Sequence, residues 1–401
     1  MTNLSAQGRT FLFLQGPPGP FFPILAKRIR ALGGAVHRIN ICGGDRYDWR
    51  DEAIDYRGRM KRWPLWFDRF IRREGITDLV LYGDCRPMHQ SALRMAQMRG
   101  IQVHVFEEGY IRPDWMTLER DGVNGHSRFN RDPDAIREAA RQLPPIPHLP
   151  SITASFRRRA RDSYWHYHHV VTGKLRFPFY RSHRPGSICV DGLGWAKRLL
   201  LRKRRARQAD ATLRAVTGKP FFLFPMQLTH DYQIRAHSPF DGMPMACDYV
   251  MESFALHAPA DAHLLVKEHP LDSGWRNWRR FIESRARRLG LHGRIHHVDG
   301  GNLLDLSRQA LGMVCVNSTS GTLAAAAGTP VIVLGDAVYD IAGITHQGGL
   351  DDFWTAPEKP DADLFDAFTR TLHAQCLVRG GLASESAITI LVENSLGRLL
   401  A

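Results

Sequence analysis

The sequence lacks the features that define several common protein classes. Its 401 residues contain only six cysteines, at positions 42, 85, 189, 247, 315 and 376, and none of them shows CxxC spacing. Scattered cysteines suit a reducing compartment and argue against a disulfide framework or a structural zinc site. No run of about 18 or more apolar residues occurs, so we expect no membrane-spanning helix. The polar stretch 1–10 leads straight into a strand-like run, so we expect no secretory signal.

Familiar cofactor motifs are missing as well. The loop 15–22 (QGPPGPFF) is neither GxGxxG nor a Walker loop, so neither NAD nor ATP is indicated. Asp132-Pro133-Asp134 has DxD spacing, but this pattern is typical of a loop that begins a helix. No suitably placed DxD therefore indicates a metal site.

Acidic residues are scarce in one segment, where positive charge accumulates. The formal net charge of the chain is +14, and residues 151–210 hold 15 Lys/Arg against 3 Asp/Glu, a net of +12. Three interpretations stay open: a solvated basic helix, a surface for anionic membranes, or a nucleic-acid surface. No known nucleic-acid motif accompanies the charge, so nucleic acid is the least favoured partner. The interleaved aromatic residues are Phe156, Tyr164, Trp165, Tyr167, Phe177, Phe179, Tyr180 and Trp195.

Strand-like and helix-like runs alternate on both sides of this segment. The alternation predicts parallel sheets with helical crossovers. We therefore predict the α/β class, with two doubly wound Rossmann-like domains facing a central cleft, as in GT-B glycosyltransferases. The first half has predicted strands at 11–14, 35–41, 79–82 and 101–106, and the second half at 221–224, 262–266, 294–297, 313–316 and 331–334. The predicted helices are 23–32, 66–74, 89–99, 246–257, 275–289, 303–309, 322–327 and 387–400.

The domain boundaries follow from composition. Residues 1–150 form the predicted first domain, which closes at a Pro-rich break. Residues 151–215 are a basic, mostly helical connecting segment, and 216–385 form the second domain. Residues 386–401 are predicted to be a helix that packs back across the domain boundary.

Polar clusters follow the predicted strands of the first half. Ligands of parallel α/β sheets bind at the carboxyl ends of the strands. Glu107 and Glu108 come directly after the strand 101–106, and a carboxylate there can accept or donate a proton. Each further cluster alone is compatible with a structural turn, but together they predict a site. Those clusters contain Gly16 and Gly19, Asp45 and Arg46, Asp84 and Arg86, and Arg112.

Two clusters in the second half predict a nucleotide site. Ser318, Thr319 and Ser320 lie between a strand and a helix, where hydroxyls and backbone N–H groups can bind phosphate. The alternative for this loop is a plain helix cap. His269-Pro270 follows another strand end, and a histidine there can bond to a phosphate.

The loop 227–240 is dense in polar groups and follows the first strand of the second half. It holds one carboxylate, Asp231, together with Gln233, Arg235 and His237. This composition favours a site for a polar substrate, and the alternative is an ordinary hydrogen-bonded loop.

These motifs, in this order, resemble the capsule polysaccharide biosynthesis family, the KpsS/LipB-like retaining β-Kdo glycosyltransferases of Gram-negative bacteria. The resemblance covers nearly the whole chain and is weakest in the basic segment. It depends on the motifs QGPPGPFF at 15–22, GGDRYDW at 43–49, YGDCRP at 82–87, FEEGYIRPDWMTLE at 106–119, GVNGHSRFNRDP at 122–133, QLTHDYQIRAHSPF at 227–240, KEHP at 267–270 and NSTSG at 317–321.

The resemblance implies transfer of Kdo from CMP-Kdo to a (lyso)phosphatidylglycerol acceptor, which starts the poly-Kdo linker of the capsule lipid terminus. It implies that His269 and the loop Ser318–Ser320 hold CMP, and that Glu107 or Glu108 acts on the acceptor hydroxyl; we favour Glu107. Asp231 matches the carboxylate that related retaining enzymes are thought to use as nucleophile. The remaining donor-side positions are Lys267, Pro270, Asn317, Gln233, Arg235 and His237.

The same resemblance implies a cytoplasmic protein on the inner face of the inner membrane, near other capsule biosynthesis and export proteins. No metal or other cofactor is expected, because CMP carries one phosphate that hydroxyls, backbone N–H groups and a histidine can hold. Two alternatives stay open: a transferase for another CMP-sugar of the sialic acid type, and a non-catalytic scaffold for capsule assembly at the membrane.

Overall fold

The computed structural model describes residues 4–182, 188–228 and 231–401, with the backbone alone at positions 188 and 189. Thr229 and His230, which belong to the predicted substrate loop, lie outside the described residues. The strands are β1 Thr10–Phe13, β2 Ala35–Asn40, β3 Ile54–Asp55, β4 Asp78–Tyr82, β5 Gln102–Glu108, β6 Trp115–Arg120, β7 Phe221–Pro225, β8 His263–Lys267, β9 Ile295–Val298, β10 Gly312–Cys315, β11 Val331–Val333 and β12 Leu377–Arg379.

The helices account for about half of the remaining chain. They are α1 Phe21–Ala31, α2 Gly43–Trp49, α3 Trp63–Arg73, α4 Pro87–Met98, α5 Pro133–Arg141, α6 Phe156–Thr172, α7 Ile188–Leu200, α8 Arg202–Val216, α9 Tyr232–Ala236, α10 Met243–His257, α11 Trp278–Arg288, α12 Leu303–Gln309, α13 Ser320–Ala326, α14 Leu350–Phe353, α15 Ala362–Gln375 and α16 Glu385–Leu399. The predicted helix start at Asp132-Pro133 is confirmed, since the Asp132 carboxylate caps α5 by accepting from Ala135 N–H.

Two compact units divide the chain, and both are assembled from separate segments. Unit 1 comprises Met1–Phe129, Pro145–His183 and Leu372–Ala401, and unit 2 comprises Asn130–Pro144 and Arg184–Thr371. These limits differ from the boundaries expected at 150, 215 and 385, because contacts in space rather than composition define the units. The basic segment is therefore shared between the units, and α16 is part of unit 1.

The sheet of unit 1 has seven strands in the order β12-β6-β5-β4-β1-β2-β3. Its β5, β4, β1, β2 and β3 strands run parallel, whereas β6 pairs antiparallel with both β5 and β12. The prediction of a purely parallel sheet is wrong at this edge. Glu107 and Glu108 are the last two residues of β5 rather than the first residues after it, because they pair with Thr117 and Met116 of β6.

Helices cover both faces of this sheet, and the side chains of β1 show why. Successive residues of a strand point to opposite faces. Phe11 and Phe13 enter a core with residues of α1 and α16, and Leu12 and Leu14 enter a core with residues of α3 and α4. An apolar run without polar alternation is what a doubly covered parallel strand requires.

The sheet of unit 2 has five parallel strands in the order β11-β10-β7-β8-β9. Alternate residues of β7, Phe222 and Phe224, enter the core that α10 and α11 cover. The predicted α/β class with two doubly wound, Rossmann-like units is therefore confirmed. None of the helices in the described part of the chain combines the length and apolarity needed to cross a bilayer.

Candidate functional site

Glu107 lies at the carboxyl edge of the unit 1 sheet, next to the end of β4. Its side chain is mostly buried, and one carboxylate oxygen accepts the backbone N–H of Glu108 at 3.0 Å. Burial raises the pKa of the Glu107 carboxyl to about 7; the charge of Glu108 adds to the rise, and that of Arg86 opposes it. The side chain can therefore exchange a proton near neutral pH, as a general acid or base must.

Glu108 has the opposite electrostatic environment. Its carboxylate accepts from Arg159 of α6 at 2.7 Å and from the Tyr82 hydroxyl at 3.3 Å. Burial alone would raise the pKa of the Glu108 carboxyl, but the charges of Arg159 and Arg112 and these hydrogen bonds outweigh it and lower the pKa. Environments that push the pKa values of two neighbouring carboxyls apart are typical of divided acid-base roles. Arg159 and Tyr82 were not predicted, since sequence alone does not show which residues approach Glu108.

Asp45, which was predicted to belong to a site at the strand ends, lies in the protein interior. It is 1% exposed, within the first turn of α2. Its carboxylate accepts the N–H of Ile41 and the side-chain amide of Gln15, both at 3.0 Å, and lies 3.6 Å from the buried Arg38 guanidinium. Arg46 points outward and pairs with Asp55 at 3.1 Å. These two positions act in folding rather than in an accessible acceptor loop.

The glycines of the first two motifs allow close packing. A Cβ atom on Gly43 would lie 2.1 Å from the carbonyl oxygen of His169, and one on Gly44 would overlap the His166 ring. Helix α6 can therefore pack directly against α2. A Cβ atom on Gly16 would lie 2.7 Å from the Phe22 ring, and one on Gly19, at φ +106°, would lie 2.9 Å from the Asp162 carboxylate. The motif GGDRYDW is thus a helix that docks on α6, not a strand-end loop.

The three other predicted positions of unit 1 are also located. Asp84 is buried and accepts from Val123 N–H at 3.1 Å and from His126 Nδ1 at 2.9 Å. Arg86 donates to the Gln15 side-chain carbonyl at 3.0 Å. Arg112 is exposed and donates to Gly109 O at 3.3 Å. Asp84 therefore fixes the loop after β6, whereas the two arginines bring positive charge close to the carboxylate pair.

In unit 2, three predicted clusters lie in a row along the carboxyl edge of the sheet. The two clusters of the predicted nucleotide site, His269 and the Ser318–Ser320 loop, do not follow neighbouring strands. The first follows β8 and the second follows β10, and β7 lies between these strands. Strands are about 4.8 Å apart, so the two clusters belong to strands about 10 Å apart. The loop after β7, which contains Asp231, is placed between them.

Asp231 caps the short helix α9. Its carboxylate accepts Gln233 N–H at 3.0 Å and the Gln227 side-chain amide at 3.3 Å. The side chain is only partly buried. Arg235 is exposed and donates to the Asp241 carbonyl at 2.9 Å, so its guanidinium shapes the loop through a backbone contact.

Asn317 joins the loops that follow β7 and β10. Its side-chain oxygen accepts from Gln227 at 2.8 Å, and its amide donates to the carbonyls of Gln233 and His237 at 3.0 and 3.2 Å. Because its donors and its acceptor are used within the protein, Asn317 positions the loop of Asp231 instead of reaching outward. The His237 side chain is buried.

The Ser318–Ser320 loop is closed by its own hydrogen bonds at the start of α13. Ser318 Oγ accepts Ser320 N–H at 3.1 Å, and Ser318 O accepts Gly321 N–H at 3.0 Å. Gly321 leaves space for the Tyr339 hydroxyl, which would lie 2.3 Å from a Cβ atom there and which donates to Ser318 O. A bound phosphate would have to accept hydrogen bonds from the N–H groups of Ser320 and Gly321, which now donate to Ser318. The hydrogen bonds within the loop and those to a phosphate would therefore use the same donors. Thr319 is the N-cap residue of α13.

Lys267 and His269 lie on either side of Glu268 where β8 ends. His269 Nδ1 accepts Leu271 N–H at 3.0 Å, which leaves the proton of the neutral ring on Nε2. Lys267 is buried, and burial lowers the pKa of its amine. Pro270 is exposed. A protonated Nε2 is the donor that a phosphate oxygen requires.

Glu268 is the centre of an ion network that the sequence did not reveal. The carboxylate is 3% exposed and contacts Arg198 at 3.1 Å, Arg205 at 2.6 Å and His297 at 3.0 Å. Arg198 and Arg205 also pair with Asp299, which follows β9. Two arginines from the basic segment therefore anchor α7 and α8 to the sheet of unit 2 and are not available to a membrane.

Within unit 1, the buried residues Cys42, Asp45 and His166 place ligand-type atoms within 4.8 Å of one another. Their hydrogen bonds do not fit a cation site. The Asp45 oxygens accept two hydrogen bonds next to Arg38, and His166 Nδ1 bonds to Asp48 at 2.7 Å. A positive guanidinium beside the cluster opposes a second cation.

Comparison with known proteins identifies the chain's relatives. The model of the family "Capsule polysaccharide biosynthesis protein" matches residues 77–382. The capsule polysaccharide export protein KpsS of Escherichia coli is 36% identical over 90% of this chain and 93% of its own length. The capsule polysaccharide modification protein LipB of Neisseria meningitidis serogroup B is 34% identical over 92% of this chain and 90% of its own.

A solved structure, the β-Kdo 2,7 transferase KpsC of Thermosulfurimonas dismutans, aligns with 96% of this chain and 99% of its own at 14% identity, with a TM-score of 0.43. The family assignment depends on the sequence matches, which span both units. The chain belongs to the capsule polysaccharide biosynthesis family.

Proposed function

We propose that this protein is a retaining β-Kdo glycosyltransferase, which moves Kdo from CMP-Kdo to a (lyso)phosphatidylglycerol acceptor and so starts the poly-Kdo linker of the capsule lipid. The observation that carries the proposal is the Glu107–Glu108 pair, two adjacent carboxyls at a strand end whose pKa values are shifted in opposite directions. A purely structural pair would not require one carboxyl to titrate near neutral pH.

Unit 2 would bind the donor. His269 Nε2 would donate to the CMP phosphate, with the hydroxyls of Ser318, Thr319 and Ser320 on the other side of the β7 loop. We propose that no divalent metal is needed, since one phosphate carries little charge to neutralise. Unaltered turnover in EDTA would support this, and lost turnover that Mg²⁺ or Mn²⁺ restores would contradict it.

Asp231 would be the nucleophile. Its carboxylate attacks the anomeric carbon of Kdo, the bond from that carbon to the phosphate oxygen breaks, and CMP leaves with the bonding electrons. The acceptor hydroxyl then attacks the same carbon while Glu107 takes its proton, and the Asp231 carboxylate is released. Two displacements restore the original configuration. The Gln227 and Gln233 N–H bonds would hold the Asp231 carboxylate in place.

Gln233, Arg235 and His237 were expected to hold the Kdo carboxylate and hydroxyls. The exposure of Arg235 and the partial burial of Gln233 are compatible with this role, whereas His237 is buried. We therefore assign His237 to loop support and keep the other two as proposed sugar-binding residues.

The proposed function is tested by incubating purified protein with CMP-Kdo and a fluorescent phosphatidylglycerol analogue. Mass spectrometry of the lipid should find the mass of one or more Kdo residues added. A product formed from a CMP-sialic acid donor instead would favour the alternative transferase. The absence of any product, with intact CMP binding, would favour the non-catalytic scaffold.

Membrane location is part of the proposal. A lipid acceptor and the basic segment both favour peripheral binding to the cytoplasmic face of the inner membrane, close to other capsule biosynthesis and export proteins. Nucleic acid is not a proposed partner.

A further inference from the structure

We propose that one face of α6 docks on an anionic lipid bilayer and places the Glu107–Glu108 edge of unit 1 at the membrane surface. The outer face of α6 is defined here as Arg157, Arg161, Tyr164, Trp165, His168 and Val171, extended by Leu175. This inference deepens the proposed function and depends on it in one respect, that the acceptor is a membrane lipid.

The inner face of α6 is fixed to unit 1 by polar contacts. Arg159 donates to Glu108 at 2.7 Å, Arg158 donates to Glu385 of α16 at 3.1 Å, and His166 bonds to Asp48 at 2.7 Å. The helix is thus attached to the candidate catalytic edge by a direct contact with one of its two carboxylates. Whatever binds the opposite face of α6 also fixes the position of that edge.

The outer face carries large apolar side chains that the protein does not cover. Tyr164 is 63% exposed and Leu175 is 97% exposed, and Trp165 and Val171 are each 40% exposed. The outer-face residues of α6 are one, three or four positions apart, which places them on one side of the helix, and Leu175 ends the short turn Gly173–Leu175 that follows. Tyrosine and tryptophan are the side chains enriched where a membrane meets water.

Aromatic rings from two helices form one cluster on this surface. Trp165 lies 5.3 Å from Tyr164 and 6.3 Å from Tyr47 of α2, and Tyr47 stacks on His169 at 4.3 Å. The Arg50 guanidinium lies over the Tyr47 ring at 4.7 Å. The surface therefore combines amphipathic rings with cations at their rim.

The charge of the outer face of α6 indicates which kind of partner it binds. The only acidic residue of α6, Asp162, is on the inner face and paired, while Arg157 and Arg161 are exposed. A surface with exposed cations and aromatic rings complements anionic lipid headgroups, which attract Lys and Arg near the bilayer. The acceptor proposed above belongs to the same anionic class, so docking and acceptor supply would use one surface.

The other half of the basic segment is a matched internal control. Helix α7 also exposes apolar side chains, with Leu199 63% and Leu200 85% exposed, and basic residues follow them at the start of α8. It belongs to unit 2, and its Arg198 is held by Glu268 and Asp299. We assign docking to α6 because its Arg159 contacts Glu108 of the carboxylate pair.

The test uses sedimentation with vesicles of phosphatidylcholine alone or mixed with phosphatidylglycerol, at low and high salt. Wild-type protein should bind the anionic vesicles, and salt should weaken the binding. The double variant Tyr164→Ser/Leu175→Ser should bind at least tenfold more weakly, with unchanged circular dichroism. The control Leu199→Ser/Leu200→Ser should bind as wild type does. Equal loss in both variants, loss in the control alone, or no preference for phosphatidylglycerol would overturn the assignment.

A second measurement separates this inference from the proposed function. The α6 variant should transfer Kdo normally to a water-soluble glycerophosphoglycerol acceptor and poorly to phosphatidylglycerol in vesicles. Vesicle binding requires no turnover, so it still tests docking if Kdo transfer itself fails. Equal losses on both acceptors would show that the substitutions damage the catalytic edge, which would overturn a docking role.

Discussion

Glu107 of unit 1 and Glu268 of unit 2 are both largely buried carboxylates at the carboxyl end of a strand, yet their surroundings differ. Glu268 contacts two arginines and a histidine within 3.1 Å. Glu107 accepts a backbone N–H, and burial raises the pKa of its carboxyl to about 7. Burial alone therefore does not mark a functional acid. The informative feature is burial that the neighbouring charges leave uncompensated, because such an arrangement persists where it serves function.

The first test of this comparison is a substitution of Glu268. The change Glu268→Gln should lower the free energy of unfolding by about 3 kcal/mol, because it leaves Arg198 and Arg205 with Asp299 as their remaining acidic partner. Denaturant unfolding followed by circular dichroism measures this. The control Glu393→Gln removes an exposed pair with Arg28 and should change stability by less than about 1 kcal/mol. Equal effects of the two changes would show that the network of unit 2 is not structural.

The second prediction concerns turnover. Glu107→Gln should lower kcat roughly a hundredfold or more, since it removes the proposed general base. As a base, Glu107 must be ionised, so wild-type turnover should rise with pH through about 7 and then level off. The variant should lack this rise. Near-normal turnover of Glu107→Gln, compared with the exposed control Glu138→Gln, would make the carboxylate pair structural.

Donor binding gives a smaller expected effect, confined to unit 2. His269→Ala should weaken CMP binding about tenfold, the loss expected for one hydrogen bond to a charged group. Calorimetry measures the affinity, and the exposed His292→Ala is the control. Unchanged CMP affinity, with an intact circular dichroism spectrum, would remove His269 from the donor site.

The last prediction sharpens the comparison, because Glu107→Gln should change the stability of the protein in the opposite direction from Glu268→Gln. The folded protein raises the pKa of the Glu107 carboxyl from its usual 4.5 to about 7. Between these pH values the unfolded chain binds fewer protons than the folded chain, so this group destabilises the fold increasingly as pH rises. Glu107→Gln should therefore stabilise the protein at pH 8, and by less at pH 5. Thermal unfolding at the two pH values measures this, and destabilisation at pH 8 would contradict it.

The pattern of apolar residues along the chain predicted much of this fold, because that pattern reflects which residues are buried. The apolar runs that became β1, β4 and β7 are hydrophobic on both faces, which is what covered parallel strands require. The predicted helix 303–309 is observed with the same limits. By contrast, β6 and β12 were missed, because the antiparallel pairing of Leu377 with Thr117 joins residues remote in sequence.

For the candidate site, the sequence predicted that polar residues lie at the ends of strands, but it did not predict which side chains contact one another. The motif GGDRYDW looked like a loop because of its two glycines, yet it forms α2, since those glycines admit α6. Arg198 and Arg205 counted toward a basic segment, but their acidic partners lie 63 to 101 residues further along the chain. Arg159 was missed for the same reason. Residue type shows that a charge exists, and only the fold shows which charge neutralises it.

The division of unit 1 into separate chain segments has a consequence for biosynthesis. Strand β12 pairs with β6 and α16 packs on α1, so both complete a unit whose first strands precede all of unit 2. On the ribosome, the edge of β6 and the apolar surface of α1 therefore stay uncovered while unit 2 is translated. Unpaired strand edges and bare apolar surface are what chaperones bind and what aggregation uses. Slow translation across unit 2 should thus lower the yield of folded protein more than slow translation within Met1–Phe129.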